Sequence, residues 1–361
     1  MPGMPIRVLI VDDSALIRDM LTSVLARDPG IEVVGTAADP FAARDAIKRL
    51  NPDVLTLDVE MPGMNGISFL EKLMALRPMP VVMVSTLTQA GAFSTLRALE
   101  IGAIDVVGKP SKASDLDRIA AELIDKIKVA AAANVGAHRT TPERTPEKTA
   151  SRLSTSPPPI GCSRNGTVIG IGASTGGVEA IRAVLTDLPA QMPPILIVQH
   201  MPGQFTGSFA SRLDGLCALR VKEAEDREVL RPGTVYVGPG GRQFELGHAG
   251  PNLTCRLGGE ERVSGHAPSV DVLFRSMARI CPINSLGIIL TGMGRDGASG
   301  LLDIRLGGGR TIGQNESTSV VYGMPRAAFE IGAVERQLPL HGIAPYLSAT
   351  FSPETAETAH A

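Results

Sequence analysis

The sequence predicts two α/β domains built on mainly parallel sheets, joined by a flexible linker. Three observations carry this. From Ile6 to about Ala133, short apolar runs alternate with helical patterns, as in consecutive βα units. Residues 134–163 change to Thr, Pro, Arg, Glu and Ser, including Thr141-Pro142, Thr145-Pro146 and Pro157-Pro158-Pro159. From Thr167 a second series of apolar runs begins, richer in glycine and loops. With 361 residues, 43% of them hydrophobic, two cores of ordinary size can be buried.

In the first domain the expected strands are Arg7 to Val11, Glu32 to Thr36, Val54 to Leu57, Val81 to Val84 and Asp105 to Val107. Each is a short run of Val, Ile, Leu or Met, the composition of strands buried on both faces of a parallel sheet. Helices are expected to begin near Ser14, Pro40, Gly66, Ala90 and Asp115, giving five βα repeats over residues 1–133. Residues 134–163 cannot bury enough surface to offset chain ordering and read as the linker. Strands of the second domain, residues 164–350, are expected at Thr167 to Ile171, Ile195 to Val198, Thr234 to Val237 and Leu286 to Leu290. The stretch Val270 to Ala278 reads as a helix whose Leu273, Phe274 and Met277 face the core. Residues 351–361 read as a polar, disordered tail.

The net charge of −2 argues against nucleic acid as a partner and against an anionic membrane surface. No apolar segment approaches the roughly 20 residues that span a bilayer, and Val8 to Val11 is too short for a secretory leader. Cys162, Cys217, Cys255 and Cys281 are widely separated and form no Cys-x-x-Cys pair, so reduced thiols in a cytoplasm are expected, and a monomer is the default.

Asp12 and Asp13 end the first expected strand, Asp58 the third, Ser85 the fourth, and Lys109-Pro110 the fifth. In a parallel α/β sheet these positions share the edge where ligands bind. Three crowded carboxylates repel one another unless a hard cation such as Mg²⁺ neutralises them, and a lysine can pair with phosphoryl oxygens. The combination suits an aspartate that attacks a phosphodonor and becomes an acyl phosphate. Singly, each residue is an ordinary turn former, cap or solvated charge.

Here the chain resembles the receiver domain of bacterial response regulators. The resemblance rests on Val11-Asp12-Asp13-Ser14, on Leu57-Asp58-Val59-Glu60-Met61-Pro62-Gly63-Met64-Asn65-Gly66 and on Gly108-Lys109-Pro110. It implies Asp58 as phosphoacceptor, Asp13 and the Glu60 carbonyl as direct metal contacts, and Asp12 acting through water. It further implies Lys109 on the phosphoryl group, Ser85 as the hydroxyl that reorients, and a cis Lys109-Pro110 bond. The position of that family's aromatic switch is occupied by Val106, so no aromatic rotation there can transmit the signal.

In the second domain Ser174 lies in Gly172-Ala173-Ser174-Thr175-Gly176, where a strand turns into a helix. Such a turn displays a nucleophile and offers unpaired N–H groups to an oxyanion. His200, in Gln199-His200-Met201-Pro202, and Asp296, in Thr291-Gly292-Met293-Gly294-Arg295-Asp296-Gly297, can supply the base and its orienting carboxylate. The order Ser, His, Asp differs from that of ordinary α/β hydrolases. A rival reading takes Gly170, Gly172 and Gly176 as a loose dinucleotide-binding loop. It requires an acidic residue after the next strand, where Gln199-His200 stands instead. His138, His248, His266, His341 and His360 show no metal-ligand spacing and receive no catalytic role.

Residues Thr167 to about Leu340 resemble the catalytic domain of the chemotaxis protein-glutamate methylesterases. The matching motifs are Ile169 to Gly177, Gln199 to Pro202, Ala267 to Phe274, Leu290 to Gly297 and Ser319 to Pro325. The resemblance implies Ser174 as nucleophile, His200 as base, Asp296 as orienting acid, and backbone near Thr175 and Met293 at the oxyanion, with no cofactor in this domain. A histidine that often follows the Pro-Gly-Gly turn is replaced here by Gln243. Together the two resemblances imply a phosphorylation-regulated hydrolase that demethylates chemoreceptor glutamates, releases methanol and deamidates receptor glutamines. Its expected partners are methyl-accepting chemoreceptors and a chemotaxis histidine kinase.

Overall fold

The computed structural model describes residues 4–61, 65–85, 89–109, 116–133 and 166–351. The expected linker, Pro110 with its expected cis bond, and residues 352–361 lie outside the described residues. The chain divides into two compact units, Met1–Gly136 and Ala137–Ala361.

The first unit runs β1 (Ile6–Val11), α1 (Ala15–Leu25), β2 (Ile31–Ala37), α2 (Pro40–Leu50), β3 (Val54–Asp58), α3 (Gly66–Leu76), β4 (Val81–Ser85), α4 (Gln89–Ile101), β5 (Asp105–Gly108) and α5 (Leu116–Ala132). Local chemistry starts three of its helices. Ser14 Oγ accepts from Ile17 N, Asp39 Oδ1 from Phe41 N and Ala42 N, and Asn65 Oδ1 from Ser68 N. The sheet order is β2-β1-β3-β4-β5, with every pairing parallel. Leu9, Ile10, Leu55, Leu57, Val81 and Met83 are fully buried within it. Each buried aliphatic side chain stabilises the fold by about 1.5–3 kcal/mol, which is why these runs become strands although they do not alternate. The strand order reverses between β1 and β3, so Asp12, Asp13 and Asp58 flank one crevice.

The second unit runs β6 (Val168–Ala173), α6 (Gly177–Thr186), β7 (Ile195–Gln199), α7 (Gly203–Asp214), β8 (Arg220–Glu223), β9 (Thr234–Val237), β10 (Phe244–Ala249), β11 (Asn252–Leu257) and α8 (Val270–Ile280). It continues with β12 (Ser285–Ile289), α9 (Ala298–Leu306), β13 (Arg310–Gln314), a 3₁₀ turn (Glu316–Thr318), α10 (Met324–Glu330), β14 (Arg336–Leu338) and α11 (Leu340–Phe351). A seven-stranded sheet has the order β14-β13-β12-β6-β7-β9-β8, again parallel throughout. Antiparallel β10 and β11 form a separate hairpin, and Leu246 of β10 packs in one core with Leu273, Phe274 and Met277 of α8. Those three side chains are fully buried, as the helical pattern requires.

β8, the β10–β11 hairpin, β13 and β14 lie outside the strands expected from sequence. β13 reads Arg310-Thr311-Ile312-Gly313-Gln314, too polar and glycine-broken for an apolar run, and β14 has only 3 residues. The last helix extends through Phe351, which is buried.

Two glycines of β6 are used for packing. A Cβ on Gly170 would lie 2.5 Å from Met277 Sδ, and one on Gly172 would lie 2.2 Å from Val270 Cγ1. They let α8 approach the central strand, which removes their value as signals of a pyrophosphate loop. Here the reversal of strand order falls between β6 and β12, placing the loops after those strands on either side of a crevice.

Candidate active site

Ser174 follows β6, His200 follows β7 and Asp296 lies beyond β12, so three neighbouring strands deliver all three residues to one sheet edge. Ser174 is half-buried. Its N–H donates to Thr291 O at 3.0 Å, tying the nucleophile loop to the end of β12. Its carbonyl accepts from Gly177 N at 2.7 Å and from Gln199 Nε2 at 2.9 Å. The turn is thus clamped from both adjoining loops. Gly292 is needed for this closeness, since a Cβ there would lie 2.8 Å from Ser174 Cβ.

His200 Nε2 lies 2.9 Å from Asp296 Oδ2. A carboxylate accepts, so Nε2 carries the proton and Nδ1 holds the lone pair. Nδ1 is buried and has no protein partner. The ring of His266 stacks on that of His200, with centroids 3.6 Å apart and planes inclined by 8°.

Asp296 is buried, yet it is held in its charged form at the amino end of α8. Oδ1 accepts from Ser269 Oγ at 2.7 Å and Asp271 N at 3.2 Å, and Oδ2 accepts from Val270 N at 2.7 Å. Burial pushes its pKa up, but His200, Ser269 and Val270 outweigh it and hold the carboxyl below its ordinary value. The positive end of the helix dipole acts in the same sense. Asp271, the second residue of α8, is buried too, and there burial prevails and raises the pKa despite the bond from Gly300 N.

Of the two expected oxyanion residues, Thr175 directly follows Ser174 and Met293 directly follows Gly292, which packs against Ser174. Thr175 is buried and its carbonyl accepts from Thr291 Oγ1 at 3.0 Å. Met293 follows Gly292, whose carbonyl is taken by Gly323 N and Met324 N, and its side chain is exposed.

Sequence reasoning missed Ser269, Gln199, Thr291 and Gln243 as parts of this site, and metal spacing was the wrong criterion for His266. Ser269 lies within the Ala267 to Phe274 motif, His266 immediately precedes it, and Gln199 adjoins His200, so position in or beside the motifs was the available signal.

The receiver-like site is built on the other unit. Asp12, Asp13 and Asp58 bring carboxylate oxygens within 4.8 Å of one another, with Asp12 and Asp58 buried and Asp13 exposed. Lys109 Nζ lies 2.7 Å from Asp12 Oδ2 and 2.9 Å from Asp58 Oδ2. Burial raises the Asp58 pKa, the bond and charge of Lys109 offset that only in part, and the Asp12 charge adds a smaller push upward. Burial opposes the charge of Lys109, but its bonds to Asp12 and Asp58 prevail and raise its pKa. Glu60 N approaches Asp58 Oδ1 at 3.4 Å, while the Glu60 side chain is exposed and outside the carboxylate group. Ser85 is fully buried at the end of β4, and its carbonyl accepts from Lys109 N at 2.8 Å. Val106 is buried on β5.

Cys217, Cys255 and Cys281 are free thiols. Among the described residues no helix is long and apolar enough to cross a membrane.

Residues 8–121 match the model of the response regulator receiver domain, and residues 169–347 match that of the CheB methylesterase. A protein-glutamate methylesterase/protein-glutamine glutaminase 1 of Caulobacter vibrioides is 56% identical over 335 residues, covering 93% of this chain and 95% of the relative. The protein of that name from Rhizobium johnstonii is 54% identical, covering 94% of each chain. The crystal structure of the Thermotoga maritima CheB methylesterase catalytic domain is 38% identical with a TM-score of 0.49, covering 50% of this chain and 97% of that one.

Proposed function

The chain belongs to the CheB methylesterase family, with a response regulator receiver domain ahead of the methylesterase domain, and from that premise we propose how its residues work. The enzyme hydrolyses γ-glutamyl methyl esters on chemoreceptors to glutamate and methanol, and deamidates receptor glutamines, under control of receiver phosphorylation. The carrying observation is the His200–Asp296 pair at 2.9 Å, anchored on the amino end of α8 at the strand-order reversal that also presents Ser174.

Ser174 Oγ attacks the ester carbonyl while His200 Nδ1 takes its proton, leaving a tetrahedral oxyanion. This use of the ring nitrogens is the reverse of the trypsin arrangement, where Nδ1 faces the aspartate. The resulting imidazolium is stabilised by Asp296, whose four hydrogen-bond partners keep it ionised. The backbone N–H groups of Thr175 and Met293 receive the oxyanion. Collapse breaks the C–O bond, and the proton on Nδ1 goes to the departing methoxide. Water then attacks the acyl-serine, His200 again acting as base, and glutamate leaves. With a glutamine substrate the same steps release ammonia.

In the receiver, a carboxylate oxygen of Asp58 attacks the phosphorus of the donor, and the donor's bond to phosphorus breaks. Three carboxylates within 4.8 Å fit a hard divalent cation, and Asp12, Asp13, Asp58 and the Glu60 carbonyl would hold Mg²⁺. When bound, that ion neutralises charge on the phosphoryl oxygens. Lys109 supplies a further cation, and Ser85, at the end of the adjoining strand, meets the phosphoryl group. A histidine kinase is the donor, and phosphorylation of Asp58 controls the catalytic domain.

The test is methanol release from membranes carrying methylated chemoreceptor, with and without a small-molecule phosphodonor. Release that rises with donor supports both assignments. Donor-independent release discards phosphorylation control, and no release discards the substrate.

A further inference from the structure

We propose that Gln243 is a positioning residue for the reaction: through one carboxamide it fixes both the ring stacked on His200 and the hydroxyl that holds Asp296. The proposal rests on the assignment of Ser174, His200 and Asp296 as the reacting set.

Gln243 lies just before β10, with its side chain buried. Its Nε2 donates to Glu261 O at 2.7 Å and His266 O at 2.9 Å, and its Oε1 accepts from Ser269 N at 2.9 Å. Both donors and the acceptor are therefore used, all on the backbone of one loop. The loop ends in a tight reversal in which Val263 and His266 exchange hydrogen bonds of 3.0 and 2.9 Å, with positive φ at Ser264 and Gly265. Gly241 N also donates to Ala267 O at 2.9 Å. Residues 266 to 269 are thus pinned from the turn that carries Gln243, at His266 O, Ala267 O and Ser269 N.

What leaves this pinned segment reaches the reacting residues. His266 sends its ring over His200 at 3.6 Å, limiting rotation of the imidazole about the axis that aims Nδ1. Ser269 sends its hydroxyl to Asp296 Oδ1 at 2.7 Å and begins α8, whose first amides complete the carboxylate's shell. A slip of the segment would therefore disturb base and acid together.

Other side chains meet this demand less fully. Glutamate would place a carboxylate against two carbonyls, and leucine would leave three backbone groups unpaired in the interior. A neutral histidine offers one donor and one acceptor, enough for two of the three anchors.

The experiment uses the full-length protein and follows methanol release at saturating and limiting methylated receptor, alongside the downfield proton signal of His200 Nε2–H. Gln243→Leu lowers kcat on the order of 10- to 100-fold with KM unchanged, the cost of misplacing reacting groups by a fraction of an ångström to an ångström. The proton signal broadens or moves, while cooperative unfolding and Asp58 phosphorylation persist. Gln243→His gives a smaller loss and covers the case in which the leucine variant does not fold. His266→Ala loses rate without any change at Gln243, and His266→Phe restores most of it because stacking needs only a flat ring. A folded Gln243→Leu with the wild-type kcat and proton signal overturns the proposal, as does a phenylalanine variant no faster than the alanine one. Turnover surviving in Ser174→Ala would instead overturn the underlying assignment, so the two failures are told apart.

Discussion

Both units bury a carboxylate at the point where a parallel sheet reverses its strand order, and they treat it in opposite ways. Asp58 has Lys109 and a long contact from Glu60 N, with Asp12 repelling it nearby, and its pKa is raised. Asp296 has His200, Ser269 Oγ and two helix amides, and its pKa is lowered. The same position in the same architecture thus yields a carboxylate left short of donors and a carboxylate saturated with them. The first can be a nucleophile, because its lone pairs are not all committed. The second can only orient and stabilise, because every lone pair is taken.

The largest effect that separates the two regions is on Ser174. Ser174→Ala should lower methanol release by about 10⁴-fold or more, since a serine triad loses nearly all its acceleration when one member goes. Phosphorylation of Asp58 in that variant should be unchanged when measured with a radiolabelled phosphodonor. A residual acylation burst would sink the serine assignment. Asp296→Asn should cost on the order of 10³- to 10⁴-fold in kcat, because an amide turns the wrong tautomer of His200 toward Ser174. Substituting the other carboxylate should do something different in kind. Asp58→Ala, or chelation of Mg²⁺, should remove stimulation by phosphodonor while basal methanol release stays at its unstimulated level. Loss of basal release would mean that Asp58 supports the catalytic unit directly.

Ser269→Ala should be milder. It removes one charge-assisted bond of 2.7 Å from a buried carboxylate and leaves three others, which is worth about 1.5–3 kcal/mol of stability. Urea unfolding monitored by circular dichroism would show the drop, and an unchanged midpoint would mean that water replaces the hydroxyl.

How much of this was legible depended on whether a residue acts through its own side chain at a strand end. The strands before Asp12, Asp58, Ser174 and His200 are dominated by Val, Ile and Leu, so their ends, and the chemistry there, could be located from sequence. Asp296 lies beyond β12 in a glycine-rich loop, but the apolar run before it pointed to the same edge. β13 and β14 were hidden because partners on the sheet, not their own composition, make them strands. Gln243, Ser269 and His266 were hidden for another reason. Their roles depend on hydrogen bonds to backbone atoms of a loop between residues 259 and 269, and loop backbone geometry leaves no periodicity to read. The glycines of β6 misled in the same way, as they answer to α8 packed across the sheet.

The smallest effect tests the comparison itself, by stability in metal-free buffer. Asp296 has a depressed folded pKa, so its contribution to stability is present above the ordinary carboxylate range and is lost as pH falls through the folded value. Asp58 has a raised folded pKa, so the charged form is a burden above that value, and the burden is relieved as pH falls through it. Asp58→Asn should therefore raise the midpoint of unfolding of its unit at neutral pH, with the gain shrinking toward acid. Asp296→Asn should lower the midpoint of its own, with the loss shrinking toward acid as well. Excess Mg²⁺ should reverse the sign for Asp58→Asn alone, since the wild-type carboxylates then have the cation that the crowding calls for. Calorimetry of the full-length protein at several pH values resolves both. Equal signs for the two substitutions at neutral pH without metal would show that the two carboxylates are held alike.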